Sequence, residues 1–380
     1  SQQFTAEGHS VRAVYLYSAM ADLALKYNDA ELLNACKALW DDIVNKKMYI
    51  TGGIGSAHNG EGFTVPYDLP NMGAYSETCA AIAMSFFADR MKDTELNSVY
   101  ADVVEREMYN GAISGLSLDG KAFFYENPLE INLADRTRHI SVSKSDRLPI
   151  TERKEVFSCS CCPPNLTRYI SSIGDTLLSV GDNALFIHQF MSANAEAGGA
   201  AVEMKTDYPY DGTVDITVTG ACGKDLFIRL PGWCEKYTVD KEHTVENGYI
   251  RVAVDSDEFS LKTVFDVSPR FVFASSHVRA DACKAAVMAG PVLYCAERCE
   301  NDFELFSVKL DTDVKPTAQF SEYFNANILT AQGFTADNAG APLYSDKKPE
   351  YTERTDIKLI PYFGFANRGE SDMAVWLFYK

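Results

Sequence analysis

Positive charge is scarce in this chain: 35 Lys and Arg stand against 53 Asp and Glu, a formal net charge of -18. A field of that sign repels phosphate backbones and anionic headgroups, which sets nucleic-acid and membrane-surface binding aside. Long apolar runs are missing as well. No segment has the length and apolarity of a transmembrane helix, and the opening Ser1-Gln2-Gln3-Phe4-Thr5 has neither the basic nor the apolar region of a secretory signal. Internal repeats and low-complexity tracts are absent, which excludes solenoids and disordered arrays. Cysteine is modest, ten in 380 residues, and three of the ten crowd into Cys159-Ser160-Cys161-Cys162. Neighbouring thiols point to metal rather than to a spread disulfide framework, so a cytoplasmic, reducing location is the expectation.

What is present is core-forming material. Apolar residues make up 46% of the chain and aromatics 12%, enough for two or more domains. Val11, Val14, Leu16, Ala19, Leu23 and Leu25 recur at helical spacing over 10–27, and Asn28-Asp29 then turns the chain into a second helix near 31–44. Glycine and polar residues dominate from Thr51 to Gly62, which reads as a long irregular loop. Helices are expected again over 76–91, 95–111 and 166–178, the last opened by Pro163-Pro164, because proline lacks only a donor that the first turn leaves unused. Beyond residue 180 the texture changes to short β-rich runs at 214–218, 226–230, 249–254, 286–288, 291–295 and 373–378. The stretch 311–353 has little periodicity and is expected to be irregular. The fold class is therefore multidomain, α then β, with a helical part over 1–180, an antiparallel β-sandwich over 181–275 and a second β-rich domain over 276–380.

Glu77-Thr78-Cys79 puts a carboxylate and a thiol at the start of a helix, where they can converge on one ion, and Cys161-Cys162 could complete the shell. Zinc accepts thiolate and carboxylate donors in tetrahedral geometry, so one Glu and three Cys make a reasonable site. The residues alone leave a second reading open, since buried free cysteines commonly serve as inert small hydrophobes. A thiol redox protein is disfavoured, because no βαβ pattern surrounds the cysteines.

A set of ordered motifs runs the length of the chain: Gly8-His9-Ser10-Val11-Arg12, Thr51-Gly52-Gly53-Ile54-Gly55-Ser56, Tyr67-Asp68-Leu69-Pro70-Asn71, Tyr75-Ser76-Glu77-Thr78-Cys79-Ala80, Cys161-Cys162-Pro163-Pro164-Asn165, Leu230-Pro231-Gly232-Trp233 and Ala289-Gly290-Pro291-Val292. Together they resemble glycoside hydrolase family 127, the β-L-arabinofuranosidases. The resemblance implies the C-terminal half of an (α/α)6 barrel followed by antiparallel β-sandwich domains, and retaining hydrolysis of β-linked L-arabinofuranosides on plant-type glycans. It further implies zinc on Glu77, Cys79, Cys161 and Cys162, with Cys161 as nucleophile and Glu61 as general acid/base. His9, Tyr125 and Glu105 match positions around the sugar, and His58 lies three residues before Glu61. The competing function is a non-catalytic carbohydrate-binding or structural protein in which zinc staples helices together. For Cys159 a packed side chain is the favoured role.

The resemblance starts midway through the family's helical barrel. It implies that the other half, which contributes further histidines to the sugar pocket, precedes Ser1, belongs to another chain, or is lost in a shortened relative that no longer hydrolyses anything. An open half-barrel would expose an apolar face, so self-association or a partner chain is the expectation, with weak or no turnover by this chain on its own.

Overall fold

The computed structural model describes residues 3–136, 150–336 and 342–380. Helices fill its first part: α1 (Ser10–Tyr27), α2 (Ala30–Lys46), α3 (Thr78–Lys92), α4 (Ser98–Arg106) and α5 (Cys162–Ser172). In α1 the stripe Val14, Tyr17, Ala21 and Ala24 is buried, the apolar face that a period of 3.6 residues aligns. Asn28 closes the helix in the left-handed region at φ 52°, and the Asp29 carboxylate then accepts from the Leu32 amide to open α2. The outer face of α1 leaves Leu16, Leu23 and Tyr27 exposed.

Helix α3 is the centre of this layer, packed against α1, α4 and α5. Nearly its whole length is buried, and Ala80, Ala81 and Ala83 let the neighbouring helices approach closely. A helix held on all sides is a rigid support for whatever its first turn carries.

The expected helix over 95–111 is shorter than the periodicity predicts. The Asn97 side chain accepts from the Val99 amide and starts α4, so residues 95–97 lie outside it. Past Arg106 the chain widens into a π-helical turn, Glu107–Gly111. Gly111 is required there, since a Cβ would fall 2.2 Å from a Glu107 carboxylate oxygen and 3.0 Å from the Thr51 carbonyl.

The β half begins with two five-stranded sheets facing each other over residues 178–265. Val202, Met204, Val214, Ile216 and Val218 from one sheet meet Leu185, Ile187, Leu226, Ile228 and Ile250 from the other. Strand Glu258–Phe265 alternates exposed and buried residues without a break, as a half-buried strand does. The sandwich is not wholly antiparallel: Ala184–Ile187 runs parallel to Asp225–Arg229.

A ten-stranded sheet follows, and here the expected irregular stretch over 311–353 is overturned in part. Most of 311–336 is strand, Thr317–Ser321 and Ala326–Ala336, the latter paired with Tyr351–Pro361, whereas 342–350 is irregular as expected and 337–341 lies outside the described residues. Gly333 sits where a Cβ would come 2.5 Å from Ile357 Cδ1 and 2.7 Å from the Lys309 carbonyl, so the ladder needs the glycine that disguised it as a loop.

Helices and sandwich are joined by a buried ion cluster. Arg229, fully buried, reaches from its strand to Asp102 of α4 at 2.7 Å and to Glu105 of the same helix. Glu105 also accepts from the Tyr208 hydroxyl and from Trp233 Nε1 at 2.9 Å, while the Gly232 amide donates to Asp102. Arg229→Met leaves two acids facing each other without their cation. Such a break costs about 3–5 kcal/mol, expected as a lower urea midpoint with an unchanged m-value.

Candidate active site and metal centre

The candidate site forms where the first turns of α3 and α5 meet. Glu77 is the N-cap of α3 but makes no side-chain cap, so its carboxylate is free to point inward. The helix start is fixed instead by main chain: the Thr78 amide donates to the Tyr125 carbonyl at 3.1 Å, and the Thr78 hydroxyl to the Phe124 carbonyl at 2.8 Å. Cys161 is the N-cap of α5, with prolines in its first turn, as the sequence predicts.

These two turns bring four donors together. Cys161 Sγ lies 3.5 Å from Glu77 Oε1 and 3.8 Å from Cys162 Sγ, and Cys79 Sγ lies 3.6 Å from Cys162 Sγ. All four donor atoms fall within 4.8 Å of one another. Cys79 and Cys162 are buried, whereas Cys161 is open to solvent.

The charges in this cluster are unevenly held. Hydrogen bonds from the Cys162 and Cys79 thiols, with another from the Tyr125 hydroxyl at 3.5 Å, hold the Cys161 thiol far below its ordinary value despite partial burial. The same contacts push Cys162 up, and Cys79 is pushed up chiefly by Cys161. Burial, followed by the Cys161 charge, pushes the Glu77 carboxyl up to about 8. Among the described residues no Lys or Arg pairs with Glu77, and its Oε2 is buried without a hydrogen-bond partner. Three thiols, one carboxylate and an unspent buried lone pair form a donor set suited to a borderline-soft divalent cation.

Glu61 faces the same place from the glycine-rich loop. Its backbone lies in the left-handed region at φ 51°, and the loop docks on the start of α1 through the Ser10 amide to the Glu61 carbonyl and the Phe63 amide to the Gly8 carbonyl, both 2.9 Å. Gly62 permits this approach, since a Cβ would lie 2.4 Å from the Gly8 carbonyl oxygen. His9 Nε2 then meets Glu61 Oε2 at 3.2 Å, and donor atoms of His9, Glu61 and Glu77 lie within 4.8 Å of one another.

Of the residues singled out from sequence, Glu61, Glu77, Cys79, Cys161, Cys162, His9 and Tyr125 therefore converge. Glu105 does not, because its carboxylate is occupied at the joint by Arg229, Tyr208 and Trp233. Cys159 is exposed rather than packed. Two further wall residues were not singled out from the sequence. Tyr75 packs its ring 5.3 Å from His58 and 6.1 Å from Tyr125, and its hydroxyl is pushed up by burial and by Glu77 and Glu61. Glu126, paired in a β-bridge with Glu77, lies 3.5 Å from His58 Nδ1. Tyr75 stands inside a quoted motif and Glu126 follows Tyr125, and that placement was the only signal for them.

Profiles of known families match almost the whole chain. The profile described as the GH127 catalytic domain of β-L-arabinofuranosidase covers residues 1–175, the GH127 middle domain 184–258 and the family 127 C-terminal domain 269–378. This chain belongs to glycoside hydrolase family 127.

Among its family 127 relatives, the non-reducing end β-L-arabinofuranosidase of Bifidobacterium longum subsp. longum is 38% identical over 399 residues, which span 98% of this chain and 60% of that protein. The crystal structure of a GH127 β-L-arabinofuranosidase from Geobacillus stearothermophilus T6 superposes with a TM-score of 0.92 at 39% identity, covering 100% of this chain and 62% of the other. A second GH127 β-arabinofuranosidase, BT3674, gives 0.85 at 34% identity over 100% and 61%. The chain thus spans about three-fifths of the length of these family 127 proteins. Among its described residues no helix is long and apolar enough to cross a membrane.

Proposed function

We propose that this chain carries the catalytic machinery of a retaining glycoside hydrolase that releases β-L-arabinofuranose from plant-type glycans, with Cys161 as nucleophile and Glu61 as general acid/base. The observation that carries the reading is the position of Cys161. It is the accessible thiol of the cluster, the one whose ionised form its neighbours favour, and it shares the site with the loop carboxylate Glu61.

Glu77, Cys79, Cys161 and Cys162 would hold zinc, whose positive charge favours the ionised sulfur and eases its later departure from carbon. In the first step the Cys161 sulfur attacks the anomeric carbon. A carbon–sulfur bond forms, the glycosidic carbon–oxygen bond breaks, and Glu61 delivers its proton to the leaving oxygen. In the second step Glu61 takes a proton from water, the resulting hydroxide displaces the sulfur, and the sugar leaves with its configuration retained. The Tyr125 hydroxyl lies 3.5 Å from the Cys161 sulfur and is placed to donate to it in its ionised form. His9 touches Glu61 and orients the carboxylate while lining the sugar site. The five helices are read as part of an (α/α)6 barrel, with the exposed α1 stripe as the face on which further barrel helices or a second copy would pack.

A zinc staple has no use for a carboxylate on the accessible side of the cluster, so Glu61 separates the two readings. Glu61→Gln is expected to lower turnover of 4-nitrophenyl β-L-arabinofuranoside about 10²–10³-fold with zinc content and melting temperature unchanged. Equal turnover by the variant would remove Glu61 from the mechanism.

A further inference from the structure

Where α4 meets the sandwich and the large sheet lies a cavity of about 330 Å³, bounded by Asp102, Glu105, Arg106, Trp233, Arg270 and Met288. None of the residues assigned to hydrolysis lines it. Its two acids are already engaged, Asp102 by Arg229 and the Gly232 amide, Glu105 by Arg229, Tyr208 and Trp233. Its two arginines are not. Among the described residues neither Arg106 nor Arg270 forms an ion pair. Among the described residues the Arg106 side chain has one hydrogen-bond contact, the Met48 sulfur at 4.0 Å. Arg270 donates to the Gly290 carbonyl at 2.8 Å and approaches the Met288 sulfur at 3.9 Å, its guanidinium 5.3 Å from the Trp233 ring centre.

A guanidinium carries five N–H donors, so most of the ten here are unspent on protein acceptors. The two cations also oppose each other. Burial pulls the Arg270 value down, with Glu105 resisting and Arg106 adding to the depression. In a chain with 18 more acids than bases, the three arginines at this cavity, Arg106, Arg270 and the Arg229 that pairs with its acids, outnumber those two acids, Asp102 and Glu105, by one, and both acids are spent on Arg229.

We propose that this cavity binds a small oxyanion, a carboxylate or a phosphate, held between Arg106 and Arg270. The fork of each guanidinium matches two oxygens of such a group in a way that an ammonium cannot. The remaining walls, Ile50, Val272, Pro291 and the Trp233 indole, suit an apolar or ring-shaped body attached to the charge. The volume is at the lower end of small-molecule sites, which limits the occupant to about the size of a monosaccharide. Because the pocket touches α4, the sandwich and the large sheet together, an occupant would tie the three together. This inference is independent of the hydrolytic reading.

The test is thermal melting of the 380-residue chain in sodium phosphate, sodium gluconate or glucose, each against sodium chloride at matched ionic strength. Phosphate or gluconate is expected to raise the melting temperature by about 3 °C at a hundredfold excess over Kd, and glucose is not. R106Q and R270Q should each lose the shift. A response to phosphate alone identifies the free ion as the ligand, and a response to gluconate alone identifies an organic carboxylate. R106Q gives up only a thioether contact and carries the test if R270Q fails to fold. No shift beyond the chloride control, or a shift that survives R106Q, overturns the proposal.

Discussion

Replacing Cys161 by Ser is expected to lower turnover of a chromogenic β-L-arabinofuranoside by about 10⁴-fold or more, the scale on which loss of a covalent nucleophile is felt. Ionisation decides the size of the effect. A thiol at this position is held far toward its ionised form by Cys162, Cys79 and Tyr125, whereas a serine hydroxyl starts several units higher in pKa and has no base placed to take its proton, because Glu61 is needed at the leaving group. Intact-protein mass spectrometry gives a second readout. An electrophilic arabinofuranose analogue such as an epoxide should add once to the native protein and not to C161S. Adduct formation on another residue, or turnover by C161S within tenfold of the native value, would reassign the nucleophile.

The second large effect is expected from Cys79→Ala. Cys79 is buried at the first turn of α3 and touches Cys162, so its loss opens the donor shell from the inside, where water cannot readily substitute. The native protein should carry one equivalent of zinc by elemental analysis and C79A close to none. With free zinc a thousandfold above Kd, binding adds about 4 kcal/mol to folding, so urea unfolding with and without zinc should differ by that amount in the native protein and hardly at all in the variant. Full zinc occupancy in C79A would mean that the metal sits elsewhere. The two variants also separate the roles of the cysteines: C161S reports on chemistry, C79A on the integrity of the cluster.

Much of this site was legible without coordinates because its parts are short and local in sequence. Glu77 and Cys79 lie within one turn of each other, Cys161 and Cys162 are adjacent, and Pro163-Pro164 marks the helix start that gathers them. Joining the two halves across 84 residues took the family resemblance, since spacing of that length carries no geometric information. Glu105 shows the limit of motif transfer: an acidic residue in the right stretch of helix faces Arg229 rather than the sugar, and only the packing of α4 on the sandwich decides which. The fold followed the same rule. Amphipathic runs such as 10–27 and alternating ones such as 258–265 announce themselves, while Ala326–Ala336 hides because three of its buried positions are filled by the small residues Ala326, Ala331 and Gly333. The parallel pairing of Ala184–Ile187 with Asp225–Arg229 likewise depends on a distant partner.

The loop bearing Glu61 is aimed by its main chain. Its anchors are the Ser10 and Phe63 amides and the bare Cα of Gly62, none of which depends on which side chain occupies position 61. The reach and acidity of that group are therefore separable from the architecture that presents it, and substitutions at this position that tolerate its left-handed backbone, Asn, Asp or Gly first among them, explore new chemistries on an unchanged platform. Those that touch Gly8 or Gly62 dismantle the platform first.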